Sequence, residues 1–176
     1  MSTIEVNTIK PISGSSTITL GESGDTIALA SGASQTLAVN NPAFSVGRNT
    51  TGNTLTTNTF TLVAFNNKSF DTDNAYDTST YKFTVPSGKA GKYFFVSTVA
   101  MNAAFAYVQL NIYKNGAAVK RGTAIRNDAS SVTVAGALDL AVGDYIQIYC
   151  RQDATTNNTE SSPIYSYFDG YKLIGA

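Results

Sequence analysis

One stretch of this chain of 176 residues reads Tyr93-Phe94-Phe95-Val96-Ser97-Thr98-Val99. Successive side chains of a β-strand point to opposite faces, so Tyr93, Phe95 and Val99 would share one face and Phe94 and Val96 the other. A strand that is apolar on both faces needs two packing partners, of which the opposing sheet supplies one. The second partner is a covering loop or another subunit, and oligomerisation supplies it more simply. Residues 60–65 show the same two-sided apolar character.

Strand patterns continue on both sides of this stretch. Val108, Leu110 and Ile112 alternate with polar residues, which is typical of a half-buried strand. Turn-forming residues separate the strands, as in Lys114-Asn115-Gly116 and Val142-Gly143-Asp144. No segment has a convincing helical period. The sequence therefore predicts an all-β sandwich.

Composition excludes several classes of partner. Twelve Lys and Arg balance twelve Asp and Glu, and no basic tract occurs, so neither nucleic acid nor a membrane surface is expected to bind. The first residues lack a basic and then apolar leader, and no stretch reaches the roughly 20 apolar residues that span a bilayer. We expect synthesis in a cytoplasm without export by a standard signal. The single cysteine, Cys150, ends an alternating strand and is expected to be a small buried apolar residue.

The first 41 residues have a different pattern. Pairs of apolar residues two positions apart recur at regular spacing, with glycines between them. A narrow ladder of this kind cannot bury its apolar side alone, but three copies around one axis could. We expect residues 1–41 to be a trimeric β stem or docking arm, although a flexible linker would have a similar composition. Its expected contacts are Ile18, Leu20, Ile27 and Leu29.

Further trimer contacts are predicted in the main domain, residues 42–176. Phe94 and Val96 form the second apolar face of their strand. Tyr113, Tyr145 and Tyr149 project opposite to the core residues of their strands, and tyrosine is enriched at interfaces.

From residue 42 onward the chain resembles the C1q domain family. One strand ends Thr84-Val85-Pro86, and the next begins Gly91-Lys92-Tyr93-Phe94-Phe95. The chain closes with Phe168-Asp169-Gly170-Tyr171-Lys172-Leu173. The resemblance implies a ten-strand C1q/TNF-like jelly-roll sandwich that assembles as a homotrimer. A collagen-like repeat, a signal peptide and paired cysteines are missing from the pattern, which argues against a secreted complement-like or adipokine-like role.

The opening Met-Ser-Thr-Ile-Glu-Val-Asn-Thr-Ile-Lys-Pro also resembles the first residues of fibre-like structural proteins of marine bacteriophages. A stem, a trimeric head and a surface rich in Thr, Ser, Asn and Gly would suit a component mounted on a virion.

Residues that support catalysis are scarce. Histidine is absent, which removes the common nucleophile triads and histidine-ligated zinc. We expect no enzymatic activity and no cofactor. Asp71, Asp73 and Asp77 form the densest acid cluster, which is a weak candidate for calcium because the spacing lacks the glycine and glutamate of an EF-hand. The alternative is a solvated loop held by Asx-turns.

Two polar loops are candidates for recognition, since neutral hydrogen-bonding groups suit sugar hydroxyls or a polar protein surface. Their residues are Asn127, Asp128, Asp153, Asn157, Asn158 and Glu160.

The leading hypothesis is a non-enzymatic homotrimeric bacteriophage virion protein. Residues 1–41 would bind other virion proteins, and the head would be a tail-fibre tip or adhesin that attaches to a glycan or protein of the host surface. Three alternatives remain open: a trimeric capsid decoration protein, a soluble C1q-like or lectin-like recognition protein, and a small polysaccharide depolymerase.

Overall fold

The computed structural model describes residue 9 and residues 42–49, 53–101, 107–122, 124–126, 131–154 and 157–173. The chain divides into two units, Met1–Ala38 and Val39–Ala176. Every strand described below lies in the second unit. The predicted stem contacts Ile18, Leu20, Ile27 and Leu29, and the loop residues Asn127 and Asp128, lie outside the described residues. The division into a stem of residues 1–41 and a head of residues 42–176 stays a prediction.

The described residues form fourteen strands. They are β1 (Ala43–Gly47), β2 (Thr54–Leu55), β3 (Thr61–Leu62), β4 (Asn67–Asp71), β5 (Tyr76–Asp77), β6 (Lys82–Thr84), β7 (Gly91–Ala100), β8 (Tyr107–Lys114), β9 (Ala117–Arg121), β10 (Ile125–Arg126), β11 (Ser131–Leu140), β12 (Tyr145–Gln152), β13 (Asn157–Asn158) and β14 (Tyr167–Lys172). Within the described part of the chain, no helix is long and apolar enough to cross a bilayer.

Two antiparallel sheets make up the sandwich. The front sheet has the order β11-β7-β14-β1-β4, and the back sheet has the order β10-β8-β12-β6-β5. In the back sheet β9 and β10 pair with successive parts of β8, while β3 and β6 pair with successive parts of β12. Each sheet therefore has five strand positions, and the predicted ten-strand jelly roll is confirmed.

The core lies between the sheets and is rich in aromatic rings. Phe44 packs against Phe83 with ring centroids 5.0 Å apart and against Phe168 at 4.9 Å. From the back sheet, the predicted residues Val108, Leu110 and Ile112 are fully buried. Each buried side chain of this size contributes about 1.5–3 kcal/mol to folding before the entropy of ordering it is subtracted. The alternation of residues along β8 thus correctly predicts which apolar face of the strand is buried.

The Asn115-Gly116 turn between β8 and β9 also forms as the sequence predicts. Both residues are left-handed, with φ of 51° and 82°, which matches the twist of a two-residue hairpin. The Asn115 side chain then joins this hairpin to the next one, because Asn115 Nδ2 donates to Asp144 Oδ1 at 2.6 Å.

Residues 60–65 differ from the prediction of one strand that is apolar on both faces. Only Thr61–Leu62 is a strand, paired with β12. The Val63 amide still donates to the Ile148 carbonyl on β12, and the Ala64 amide then donates to Asn53 Oδ1 at 2.9 Å instead of to a neighbouring strand. Val63 and Phe65 are nevertheless buried. A side-chain hydrogen bond therefore replaces the strand pairing that the composition indicated.

Candidate functional site

The outer face of the front sheet carries an apolar surface centred on β7. As predicted, Tyr93, Phe95 and Val99 are fully buried in the core. Phe94 and Val96 lie on the opposite side of the strand and are only partly buried.

Small and aromatic side chains surround these two residues on the neighbouring strands. Phe94 pairs with Ala137 on β11 and with Tyr171 on β14, and its ring centroid is 5.8 Å from that of Tyr171. Val96 pairs with Ala135, which is exposed like Ala137. Tyr171 is 48% exposed. We call Phe94, Val96, Ala135, Ala137 and Tyr171 the front patch; its small alanines let a second molecule approach the backbone closely.

One carboxyl group interrupts this apolar surface. Asp169 pairs with Val96 on one side and with Ser45 on the other. Burial raises the pKa of Asp169, and a hydrogen bond from Ser45 opposes this shift. Asp169 Oδ1 is buried and has no hydrogen-bond partner among the described residues. The ionised form is therefore disfavoured in the folded protein.

Replacing Asp169 with Asn should raise the free energy of unfolding at neutral pH by about 1 kcal/mol, because an unpaired buried charge is removed. Since the folded-state pKa is raised, the contribution of Asp169 is most favourable below its unfolded pKa and is lost as pH rises through the folded value. The gain of Asp169→Asn should therefore vanish below about pH 3, where both states of the wild type are protonated. Thermal unfolding of both proteins across this pH range measures the difference. An advantage of the same size at pH 3 and pH 7 would contradict the assignment.

The three predicted tyrosines lie on the other side of the sandwich. Tyr113 and Tyr149 stack on the outer face of the back sheet, with ring centroids 4.2 Å apart. The ring of Phe60 lies 6.2 Å from that of Tyr113, and the ammonium group of Lys82 lies 5.1 Å from the ring of Tyr145. The structure therefore does not bring these tyrosines together with Phe94 and Val96, which occupy the opposite face.

The acid cluster forms a hydrogen-bonded loop. Asp71 accepts hydrogen bonds from the amides of Ala75 and Tyr76, each at 2.9 Å, and forms a salt bridge of 2.7 Å with Lys68. Burial would raise the pKa of Asp71, but these partners outweigh it and lower the pKa.

The other two acids of this cluster are also engaged within the loop. Asp77 accepts from the amide and hydroxyl of Ser79 and from the hydroxyl of Thr80, which lower its pKa. Asp73 accepts from the Thr72 hydroxyl at 2.8 Å. Among the residues that the structure describes, no group of three or more acids or cysteines could hold a metal ion. The bond from the Ser79 amide to Asp77 is an Asx-turn, as the alternative predicts, and calcium at Asp71, Asp73 and Asp77 stays a prediction.

The candidate recognition residues are dispersed. Asp153 Oδ1 accepts the Tyr107 amide at 2.8 Å, whereas Glu160 lines a separate cavity of about 430 Å³ together with Met101 and Tyr165. Asn157 and Asn158 form the short strand β13 beside β2 instead of an irregular loop. Asp153 lies in the arginine-lined cavity described next.

The outer face of the back sheet carries a polar band that the sequence pattern did not predict. Gln109 and Asn111 on β8 are 2% and 5% exposed, although alternation indicated that they would face solvent. Beside them, a cavity of about 360 Å³ is lined by Asn58, Tyr107, Arg121, Arg151 and Asp153. The available signal was the pair Arg121 and Arg151, each near the end of a strand pattern, in a chain that has only 12 basic residues.

Cys150 is fully buried, and burial raises the pKa of its thiol to about 12. The prediction of a small buried apolar residue is confirmed.

Among known protein families, the model described as the C1q domain matches residues 43–173. The chain belongs to the C1q domain family. The resemblance seen in the sequence is thereby confirmed, and the homotrimeric state that it implies fits this C1q/TNF-type family. No curated protein sequence matches the chain.

Solved structures of the same fold span several organisms. The globular domain of zebrafish complement 1qA is 25% identical to this chain, with a TM-score of 0.55. The match covers 75% of this chain and 97% of the zebrafish domain. Murine APRIL at pH 8.5 is 15% identical, with coverages of 76% and 99% and a TM-score of 0.59. The PRD1 vertex protein P5 is 14% identical, with coverages of 75% and 96% and a TM-score of 0.59.

Proposed function

We propose that the chain is a non-enzymatic homotrimeric component of a bacteriophage virion. In this proposal residues 1–41 attach the protein to the particle, and the head is the tail-fibre tip or adhesin that contacts the host surface. The observation that carries the proposal is the two-sided apolar character of β7. Its inner side fills the core of one subunit, and its outer side needs a second subunit.

The geometry of a closed trimer argues against using the front patch and the tyrosine face together as the two contact surfaces. In a cyclic trimer each subunit contacts its two neighbours through two different surfaces, related by a rotation of about 120°. Two surfaces on opposite faces of a sandwich would instead stack subunits into an open filament. We therefore propose that the front patch packs against an edge of the neighbouring sandwich, and that Tyr113 and Tyr149 stay outside the trimer contact.

Two observations support placement on a virion. The opening of the chain resembles fibre-like proteins of marine bacteriophages. The PRD1 vertex protein P5 has the same fold, so the fold is compatible with a role in a phage particle.

A binding role also agrees with the residues that are present. Domains of the C1q/TNF type are typically non-enzymatic. The chain has no histidine, and its one cysteine is buried with a raised pKa.

Fractionation of a phage lysate tests the proposal. An antibody against the head should detect the protein in the purified particle band of a density gradient. Density at the tail would support the fibre, whereas density spread over the shell would support capsid decoration. Protein found only in the unbound fraction would contradict the virion role and favour a free C1q-like recognition protein. Release of reducing sugar from host polysaccharide would favour a depolymerase.

A further inference from the structure

The cavity on the outer face of the back sheet holds two arginines against one aromatic side chain. The guanidinium group of Arg151 lies 5.4 Å from the centroid of the Tyr107 ring. Arg121 Nη2 donates to the Tyr107 hydroxyl at 3.4 Å. Arg151 Nη2 also donates to Asn58 Oδ1 at 3.3 Å, and Asn58 is a left-handed residue with φ of 56°. Contacts with Tyr107 and Asn58, from two chain segments, therefore fix the direction of the Arg151 side chain.

The positive charge of this cavity is not neutralised by salt bridges within the described residues. The salt bridges there join Lys68 to Asp71 and Lys114 to Asp144. Asp153 is the acidic residue among those that line the cavity, and its Oδ1 accepts the Tyr107 amide. Two cations against one anion leave the cavity positive, in a chain whose formal net charge is zero.

Two buried donors in this region have no partner among the described residues. Arg151 Nε is one, and Gln109 Nε2 is the other. Gln109 is 2% exposed, and its Oε1 already accepts the Tyr107 hydroxyl at 3.0 Å. Both atoms are closed off from solvent, so an acceptor in the open cavity would bind the other nitrogens of the two guanidinium groups, since Arg121 and Arg151 line it. Guanidinium groups match the geometry of planar or tetrahedral oxyanions.

We infer that this cavity binds an acidic sugar residue, with the carboxylate or sulfate group of the sugar on Arg121 and Arg151. The volume of about 360 Å³ lies at the lower end of the range for small-ligand pockets, which suits one sugar ring rather than a long ligand. The Tyr107 ring offers an apolar surface beside the charges, and the Asn58 amide offers a neutral polar contact for a hydroxyl group. The choice of a sugar over other anions rests on the proposed attachment to a host surface.

Isothermal titration of the full chain with glucuronate, glucose 6-sulfate and glucose tests the inference. The acidic sugars should bind at least about tenfold more tightly than neutral glucose, because a charge-assisted hydrogen bond contributes more than a neutral one. Tighter binding of glucuronate would assign the carboxylate as the ligand group, and tighter binding of glucose 6-sulfate would assign the sulfate ester. Equal affinity for all three sugars, or no binding of any, would overturn the inference.

Two substitutions locate the site. Arg151→Gln should reduce the affinity for the preferred acidic sugar by about tenfold, and Arg121→Gln should reduce it severalfold. Arg121 is exposed, so its variant keeps the fold even if Arg151→Gln disturbs the packing on Tyr107. Lys92→Gln is the matched control, since it removes one exposed positive charge from the front sheet and should leave binding unchanged. Retained affinity in both arginine variants would refute the site.

The outcome of the sugar titration can be separated from the outcome of the particle fractionation. Binding of the acidic sugar by a protein that is absent from the particle band would leave the site intact and remove only the virion role. A particle-bound protein that binds none of the sugars would support the virion role and overturn the sugar site.

Discussion

Replacing Phe94 and Val96 together with aspartate is expected to leave the protein monomeric. Both side chains lie on the outer side of β7, where the front patch is proposed to meet the neighbouring subunit. Assembly would bury two carboxylates without partners, and each uncompensated charge costs several kcal/mol. A cyclic trimer repeats this penalty at three interfaces. Light scattering after gel filtration measures the mass, and circular dichroism checks that the monomer is folded.

Two further variants make this result specific. Val142→Asp introduces the same charge at a turn residue that is 52% exposed, and it should assemble normally. Tyr149→Asp tests which face of the sandwich makes the contact. It should assemble normally, because Tyr149 is proposed to lie outside the trimer contact. Assembly that survives in the Phe94 and Val96 double variant, or that is lost in Tyr149→Asp with the fold intact, would refute the proposed interface.

Replacing Gly170 with valine is expected to unfold the sandwich. Gly170 pairs with Phe44 on β1 and with Phe95 on β7, and both rings point into the core. A Cβ at Gly170 would lie 2.5 Å from Phe95 Cδ1 and 2.6 Å from Phe44 Cε1. Other core rings hold both phenylalanines, so neither can move aside. Overpacking by small groups already costs about 1–3 kcal/mol, and valine should exceed about 4 kcal/mol.

Gly88→Ala is the control for this substitution. Gly88 also has no side chain, but no atom lies within 4 Å of the position of its Cβ. Its φ of 73° is the sole source of strain, which costs about 1 kcal/mol. Denaturant unfolding should therefore show a small loss for Gly88→Ala and little folded protein for Gly170→Val. Similar midpoints for the two variants would show that the core tolerates a side chain at position 170.

Features that depend on local alternation or local turn geometry could be predicted from the sequence. The two faces of β7 follow from the two-residue period, and the hairpin at Asn115-Gly116 follows from residues that adopt left-handed backbone. Gly170 belongs to the closing motif by which the sequence resembles the C1q family. The reason for this glycine is visible only in the structure, because Phe44 and Phe95 are distant in the chain and meet at that position.

Features that depend on which elements become neighbours could not be predicted. Alternation shows that Phe94 and Tyr149 both point away from the core, but it does not show that they lie on different sheets. The same limit applies to Gln109, whose position on the outer side of β8 indicated exposure. Tyr107, on the same strand, donates a hydrogen bond to Gln109, but the register that places Arg151 opposite Gln109 is supplied only by the tertiary fold.

The absolute mass of the full chain in solution is the most direct test of the claim that β7 holds subunits together through its outer side. Multi-angle light scattering should give about three times the subunit mass of 18.6 kDa, unchanged on dilution through the micromolar range. A constant mass of 18.6 kDa across the same range would contradict the account.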